Sequence, residues 1–383
     1  MTKDVNIKET IEDKKSWFNI KRYKIGNVDF DRPAKSLDVK ELSKKTFDVI
    51  KAAQQFKLFE VSKVVRSFQT IKEIYAEDDD SKINDFFHKK GWLADSPTLI
   101  NFTFNFNPYG FIRRIDDMSG FFDQYYQFSK VAVFVPNIRK KKIVFDQNKK
   151  RKNVTIINAN DYLIFVDSSY GILDTKNNKP IFVPISLRMS LKDIAQLAQH
   201  YLKKEYYYYW FDFEGKSVNE NSLARIYHFL RIIRDSGNFD KTICYFTNIK
   251  REIISNPKES KSPASDILAS IAGANIIGVN REPRRMIEGP LPPPTHKARI
   301  FNAGSYYYVK TSDSRWFNKE RSVSHNSMLL DREFASQSKS FLHSHNLEGF
   351  LQKKEMLINY RQGAILKHLI SKSPKTDSLR KWF

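Results

Sequence analysis

Cysteine is nearly absent: Cys244 is the only one in 383 residues. A single thiol excludes an intramolecular disulfide and any cysteine-rich zinc site, which points to an intracellular protein. There is no run of about 18 consecutive apolar residues, the length that a membrane-spanning helix needs. The first residues, Met1-Thr-Lys-Asp-Val-Asn6, are polar where a secretion signal would be apolar. The expectation is a soluble, cytoplasmic protein with no membrane partner. Gly-x-Gly-x-x-Gly and the Walker phosphate loop are missing too, since Gly273 and Gly278 satisfy neither spacing. No cofactor is expected. His343-Ser-His345 with His325 upstream can be drawn as a metal cluster, but such spacing is a weak signal, and no metal is expected.

Acidic residues are in deficit, with 43 Asp and Glu against 65 Lys and Arg, a formal charge of +22 and a pI near 9.7. A surplus of this size favours polyanionic partners through counterion release and steering, so nucleic acid leads. A basic surface that serves solubility alone is the plainer alternative. The 41% of hydrophobic residues can fill a sizeable core.

From Lys179 to Arg285 one pattern repeats. Apolar runs at 179–188, 206–213, 241–248 and 275–279 alternate with segments of helical spacing at 190–205, 219–235 and 262–274, the last with Pro263 in its first turn. Strands that are almost wholly apolar belong to a parallel sheet buried on both faces. Upstream, Leu99–Asn107 alternates as a strand, Asp116–Ser129 reads as a helix, 130–137 as a strand and 158–173 as a helix. Six such repeats favour an α/β fold of (β/α)8 TIM-barrel type over an open doubly wound sheet. The seventh and eighth strands are sought in 298–301, in 306–310 or upstream of Leu99. The expected division is an N-terminal appendage over 1–95, the barrel over 96–315 and a C-terminal helical extension over 316–383. Within the appendage, 1–20 reads as a loose arm, 18–30 as a hairpin turning at Gly26-Asn27, and 38–75 as helical. In the extension, 331–342 and 347–371 read as helical.

Barrels of this kind place their sites at the C-terminal ends of the strands. The polar residues just past each run are Asn105 and Asn107, Asn137 and Arg139, Ser186 and Arg188, Asp212 and Glu214, Asn248 and Lys250, and Asn280, Arg281 and Glu282. The amides suit hydrogen bonds to a heterocycle, with Asn105, Asn107, Asn248 and Asn280 as base-edge candidates. Asp212, Glu214 and Glu282 are the carboxylates available for acid, base or nucleophile work. Lys140, Lys141 and Lys142, in a basic hairpin that 149–152 completes, join Arg281, Arg284 and Arg285 as phosphate candidates. Polar strand ends that cap neighbouring helices are the simpler account of any single one. Tyr206-Tyr-Tyr-Tyr-Trp210 could form a stacking platform, although core packing is the better reading inside a parallel strand.

Two stretches carry a likeness. Ser262-Pro-Ala-Ser-Asp-Ile-Leu-Ala-Ser-Ile-Ala-Gly-Ala-Asn-Ile-Ile-Gly278 resembles the helix–strand unit of the tRNA-guanine transglycosylases. Ser340-Phe-Leu-His-Ser-His-Asn-Leu347 is similar to that family's C-terminal helix and His-Asn-Leu turn. The resemblance implies a barrel that exchanges guanine in tRNA, or in DNA, for a 7-deazaguanine through a covalent glycosyl-aspartate. At the nucleophile's position this chain has Gly278, and the family's cysteine-rich zinc site is missing. Either another carboxylate serves, Asp212 first, or the chain is a non-catalytic nucleic-acid-binding or scaffold subunit, alone or within an oligomer. A barrel enzyme on a small phosphorylated substrate is a third expectation.

Overall fold

Alternating apolar residues at the start of the chain form an antiparallel sheet, β1 (Asn6–Glu12), β2 (Asn19–Ile25) and β3 (Val28–Phe30), which turns at Gly26 with φ 56°. The hairpin at 18–30 is as expected, but the arm before it is not loose. β1 pairs with β2 from Asn6 to Glu12, and Ile7 and Ile11 pack on the two hydrophobic clusters. The computed structural model describes residues 5–372, apart from 77–78, 88–92, 94–95, 107–114, 139–140, 146–150, 156, 177, 255, 257 and 282–297.

Next come β4 (Ala34–Lys35), β5 (Leu37–Asp38), β6 (Phe59–Val65), β7 (Thr98–Phe104), β8 (Val133–Phe134) and β9 (Asn137–Ile138). A two-stranded ribbon follows, β10 (Lys141–Phe145) with β11 (Arg151–Thr155), and then β12 (Ile181–Ser186), β13 (Tyr208–Asp212) and β14 (Ile243–Thr247). The last strands are β15 (Lys261–Pro263), β16 (Ile276–Ile277), β17 (Ala298–Asn302) and β18 (Tyr307–Thr311). A curled six-stranded sheet runs β4-β16-β14-β13-β12-β8, parallel throughout. A four-stranded sheet, β5-β6-β7-β9, is also parallel. The chain passes directly from one to the other at two places. Ser36 N donates to Ile277 O (2.9 Å) and the next residue, Leu37 N, to Leu58 O (3.0 Å). Parallel pairing therefore begins at residue 34, well before residue 96.

Three expectations need correction. The segment 38–75 is not continuously helical: it holds helices Lys44–Ala52 and Phe68–Tyr75 with β6 between them. The segment 262–274 is not a long helix. Lys261–Pro263 pairs antiparallel with Tyr307–Val309, and one 3-10 turn, Asp266–Ala269, follows, so a tertiary ladder overrides the helical propensity of an alanine-rich run. β17 and β18 lie in that antiparallel sheet, β15-β18-β17, and not among the parallel strands, which take β4, β5 and β6 from upstream.

The helices at Ala159–Asp174, Leu191–Lys203 and Glu220–Asp235 start at side-chain caps, Asn158, Ser190 and Asn219. The latter two have the reciprocal bonds of a capping box. In the C-terminal extension 347–371 holds three short helices, Glu348–Leu351, Glu355–Ile358 and Tyr360–Leu369, and the helix before them is longer than expected, Lys319–Ser344. Its polar first half is held by buried Asn326, which accepts from Phe301 N (2.8 Å) and donates to Arg299 O (2.9 Å). One large cluster packs strands against helices, with Phe102, Phe121, Tyr125, Phe211 and Phe229 fully buried. A smaller one, with Leu58, Leu99, Phe134, Phe182, Trp210 and Tyr245, covers the other strand face and takes Tyr23 and Phe30 from the N-terminal sheet. Buried Lys21 fastens that sheet down by donating to Phe239 O (2.6 Å) and Thr242 O (2.7 Å). Among the described residues no helix is long and apolar enough to cross a membrane.

Candidate functional site

Strands that all run one way bring their C-terminal ends to one edge. Ser186, Asp212 and Thr247 stand level there in the register of β12, β13 and β14. Asp212 is 1% exposed, and both of its oxygens are engaged. Oδ2 accepts from Thr103 Oγ1 (3.1 Å) and Asn137 Nδ2 (2.9 Å), and Oδ1 from Asn248 Nδ2 (2.9 Å) and the Glu214 N–H (2.8 Å). Asn137 is fixed in turn by Tyr162, whose hydroxyl donates to its Oδ1 (2.9 Å). Burial first, then Tyr201, Asp212 and Glu214, push the Tyr162 hydroxyl well above its ordinary range, so it serves as a donor.

Two non-glycine residues at this edge have left-handed backbone, Glu214 at φ 50° and Asn248 at φ 57°. Each such conformation costs about 1 kcal/mol or more and persists only where its surroundings hold it. Here Ser186 Oγ donates to Glu214 Oε1 (2.8 Å), Arg188 Nε pairs with Oε2, and Gly215 N donates to Asn248 O (2.8 Å). Two strained polar residues at adjacent strand ends make this edge a candidate site.

Beneath Asp212 lies a second buried carboxylate that sequence reasoning missed. Glu60, on β6, is fully buried. Its Oε2 accepts from Ser36 Oγ (2.6 Å) and Val279 N (2.9 Å), its Oε1 from Thr247 Oγ1 (2.8 Å) and Asn101 Nδ2 (3.0 Å). This carboxylate lies directly against Gly278. A Cβ at 278 would come within 2.7 Å of Glu60 Oε2 and 2.6 Å of Thr247 Oγ1, so no side chain fits there. The only sign of it in the sequence was one carboxylate between apolar neighbours, Phe59-Glu60-Val61.

The other candidates divide. Asn248 joins Asp212, and Glu214 sits beside it. Asn280 belongs to a separate group, donating to Asp266 Oδ2 (3.0 Å), which also accepts from the Tyr308 hydroxyl (2.9 Å). Burial raises Asp266 to about 6, against the lowering effect of Tyr308, Lys35 and Arg251. Asn105 is exposed, and Arg281 is half-buried, its N–H donating to Ile249 O (3.0 Å). Arg188, Lys216, Lys250, Arg251 and Arg281 give the edge a basic rim, with the Arg251 guanidinium 4.8 Å from the centre of the Tyr308 ring. Asn107, Arg139, Lys140, Glu282, Arg284 and Arg285 lie outside the described residues, and Lys141 and Lys142 are described only as backbone of β10. Among the described residues no cluster of three His, Cys, Asp or Glu could hold a metal ion.

No family model matches the chain, and no curated protein matches its sequence.

Proposed function

We propose that the two parallel sheets are halves of one closed (β/α)8-type barrel, continuous through 34–38 and 133–138. We further propose that the chain is a divergent transglycosylase-like protein that binds tRNA or DNA along its basic rim without exchanging bases. One observation carries the functional reading: the buried carboxylates at the strand ends are saturated from within. Asp212 and Glu60 each accept four hydrogen bonds from the protein, and Glu214 is paired with Arg188. A nucleophilic carboxylate needs a free lone pair facing a reacting carbon. Around these locked acids stand Lys216, Lys250 and Arg281, with Arg188 and Arg251 already paired to Glu214 and Glu252, a surface suited to phosphates.

Base exchange is the second reading, favoured by the position of Glu60. Its carboxylate occupies the space that a side chain at 278 would enter, so an acid is kept beside the position at which the resembled family carries its nucleophile. Incubating the protein with total tRNA and with duplex DNA, each carrying labelled guanine, separates the two. Salt-sensitive binding without release of label is expected. Release that disappears in Glu60→Gln would instead establish exchange through Glu60, and release lost in Asp212→Asn would assign it to Asp212.

A further inference from the structure

The opposite edge of the six-stranded sheet has a different chemistry. Lys130, Lys179, Tyr206, Tyr207 and Lys241 all stand just before strands, ahead of β8, β12, β13 and β14. Parallel pairing therefore gathers them at the N-terminal edge. The structure splits the tyrosine run by depth: Tyr209 and Trp210 are fully buried, whereas Tyr207 and Tyr208 are half-buried. Between Tyr170, Lys179, Glu205, Tyr206, Tyr207 and Tyr208 lies a small, shallow cleft of about 50 Å³. Tyr170 and Tyr206 stack with centroids 4.0 Å apart, and Lys241 Nζ stands 5.5 Å from the centre of the Tyr207 ring.

The charge of this edge argues for an anion. Lys179 donates to Tyr126 O (2.6 Å) and sits 4.2 Å from that ring's centre, but no described carboxylate is paired with Lys130, Lys179 or Lys241. Burial, and then the nearby Lys130, lower the Lys179 amine to about 8. A bound phosphate would offset both effects. Glu205, exposed and left-handed at φ 56°, is an opposing charge in the cleft lining, and Asp167, which accepts from the Tyr206 hydroxyl (3.3 Å), is another beside it, held by His200 and Lys204.

We propose that this edge is a second nucleic-acid contact, specific for single strands, in which Tyr207 stacks an unpaired base and Lys130, Lys179 and Lys241 meet the flanking phosphates. The inference rests on the nucleic-acid reading above and adds a substrate class to it. Tyrosine faces stack bases of any sequence, and lysines track the backbone without reading it, the combination that single-strand binding requires. A duplex hides its base faces and would use the rim alone.

The test measures binding of labelled oligouridylate and oligothymidylate of about 12 nucleotides, and of a duplex of equal length, to the full chain at several salt concentrations. Tyr207→Ala should weaken single-strand binding about fivefold or more, the loss of one stacked base, and leave the duplex unaffected. Tyr207→Phe should bind as the parent does. Lys179→Ala with Lys241→Ala should reduce the single-strand salt slope by about 1.4, roughly 0.7 for each phosphate contact, and Glu205→Gln should tighten binding. Single-strand affinity unchanged in Tyr207→Ala overturns the proposal. If Tyr207→Ala unfolds, Lys241→Glu replaces it, because Lys241 is exposed; parental single-strand affinity in that variant overturns it equally. Lys216→Ala with Lys250→Ala reports on the rim separately. Loss of duplex binding there, with Tyr207 silent, leaves the rim reading standing and removes this one.

Discussion

The two edges of the parallel sheet place their polar groups in opposite circumstances. At the C-terminal edge, Asp212, Glu60, Asn137 and Asn248 are buried and answered from within the protein, with Asp212 at the centre of four donors, although Asp266 Oδ1 nearby has no partner. At the N-terminal edge, Tyr207 and Tyr208 are half-buried, and Lys130, Lys179 and Lys241 have no carboxylate partner among the described residues. The difference teaches that strand-end polarity alone does not mark a reactive site. A group that the protein has already satisfied contributes to the fold, whereas one left short of partners is available to a ligand.

The comparison breaks most readily at Gly278. Gly278→Ala drives a methyl group into Glu60 and Thr247 at under 3 Å and displaces a buried, hydrogen-bonded carboxylate. Overpacking and lost hydrogen bonds together should cost about 3 kcal/mol or more, read as a fall in the urea midpoint or as loss of soluble protein. Asp212→Ala comes next. It leaves Thr103, Asn137, Asn248 and the Glu214 N–H without their acceptor, for a loss of about 3 kcal/mol. Nucleic-acid binding at the rim should survive it, and a variant that folds but no longer binds would make Asp212 part of the interface.

A smaller effect sharpens the picture by pH. Asp266 is held at about 6 in the fold against 3.8 when unfolded, so between those values the native state binds more protons. Its ionisation therefore subtracts stability as pH rises through that window, and acidification restores it. Asp266→Asn should flatten this part of the stability profile between pH 4 and 7, as followed by urea unfolding. An identical profile in parent and variant would show that Asp266 is not the group responsible. The smallest effect expected is that of Lys250→Ala, which should lower the salt slope of duplex binding by about one with no change in melting temperature.

Much of this was legible in the sequence. The caps Asn158, Ser190 and Asn219 announced their helices because one side-chain oxygen can satisfy an exposed N–H whatever the tertiary context. The continuous apolar runs of β12, β13 and β14 announced strands buried on both faces. Asp212, Asn137 and Asn248 were legible as strand ends, and the structure brings them together. β6 was not legible: Phe59, Val61, Val64 and Val65 also fit helical spacing, and a glutamate within the strand argued against burial. Its burial depends on Ser36, Asn101, Thr247 and Val279, four residues far apart in the chain, so no local pattern could signal it. The helix expected at 262–274 was lost for the same reason, since its start is claimed by a strand that lies more than 40 residues downstream.

The contact between Glu60 and Gly278 also constrains how the molecule could change over time. Positions 60, 247 and 278 share one volume, so a side chain gained at 278 needs both Glu60 and Thr247 to give way. The order of substitution matters: Gly278→Asp alone is a dead end, and Glu60→Ala before it removes only one of the two obstacles, because Thr247 still stands within 3 Å of a Cβ at 278. Any lineage that moves its acid from position 60 to position 278 must therefore also change Thr247, and Gly278→Asp should stay destabilising in a Glu60→Ala background, as a double-mutant cycle would show.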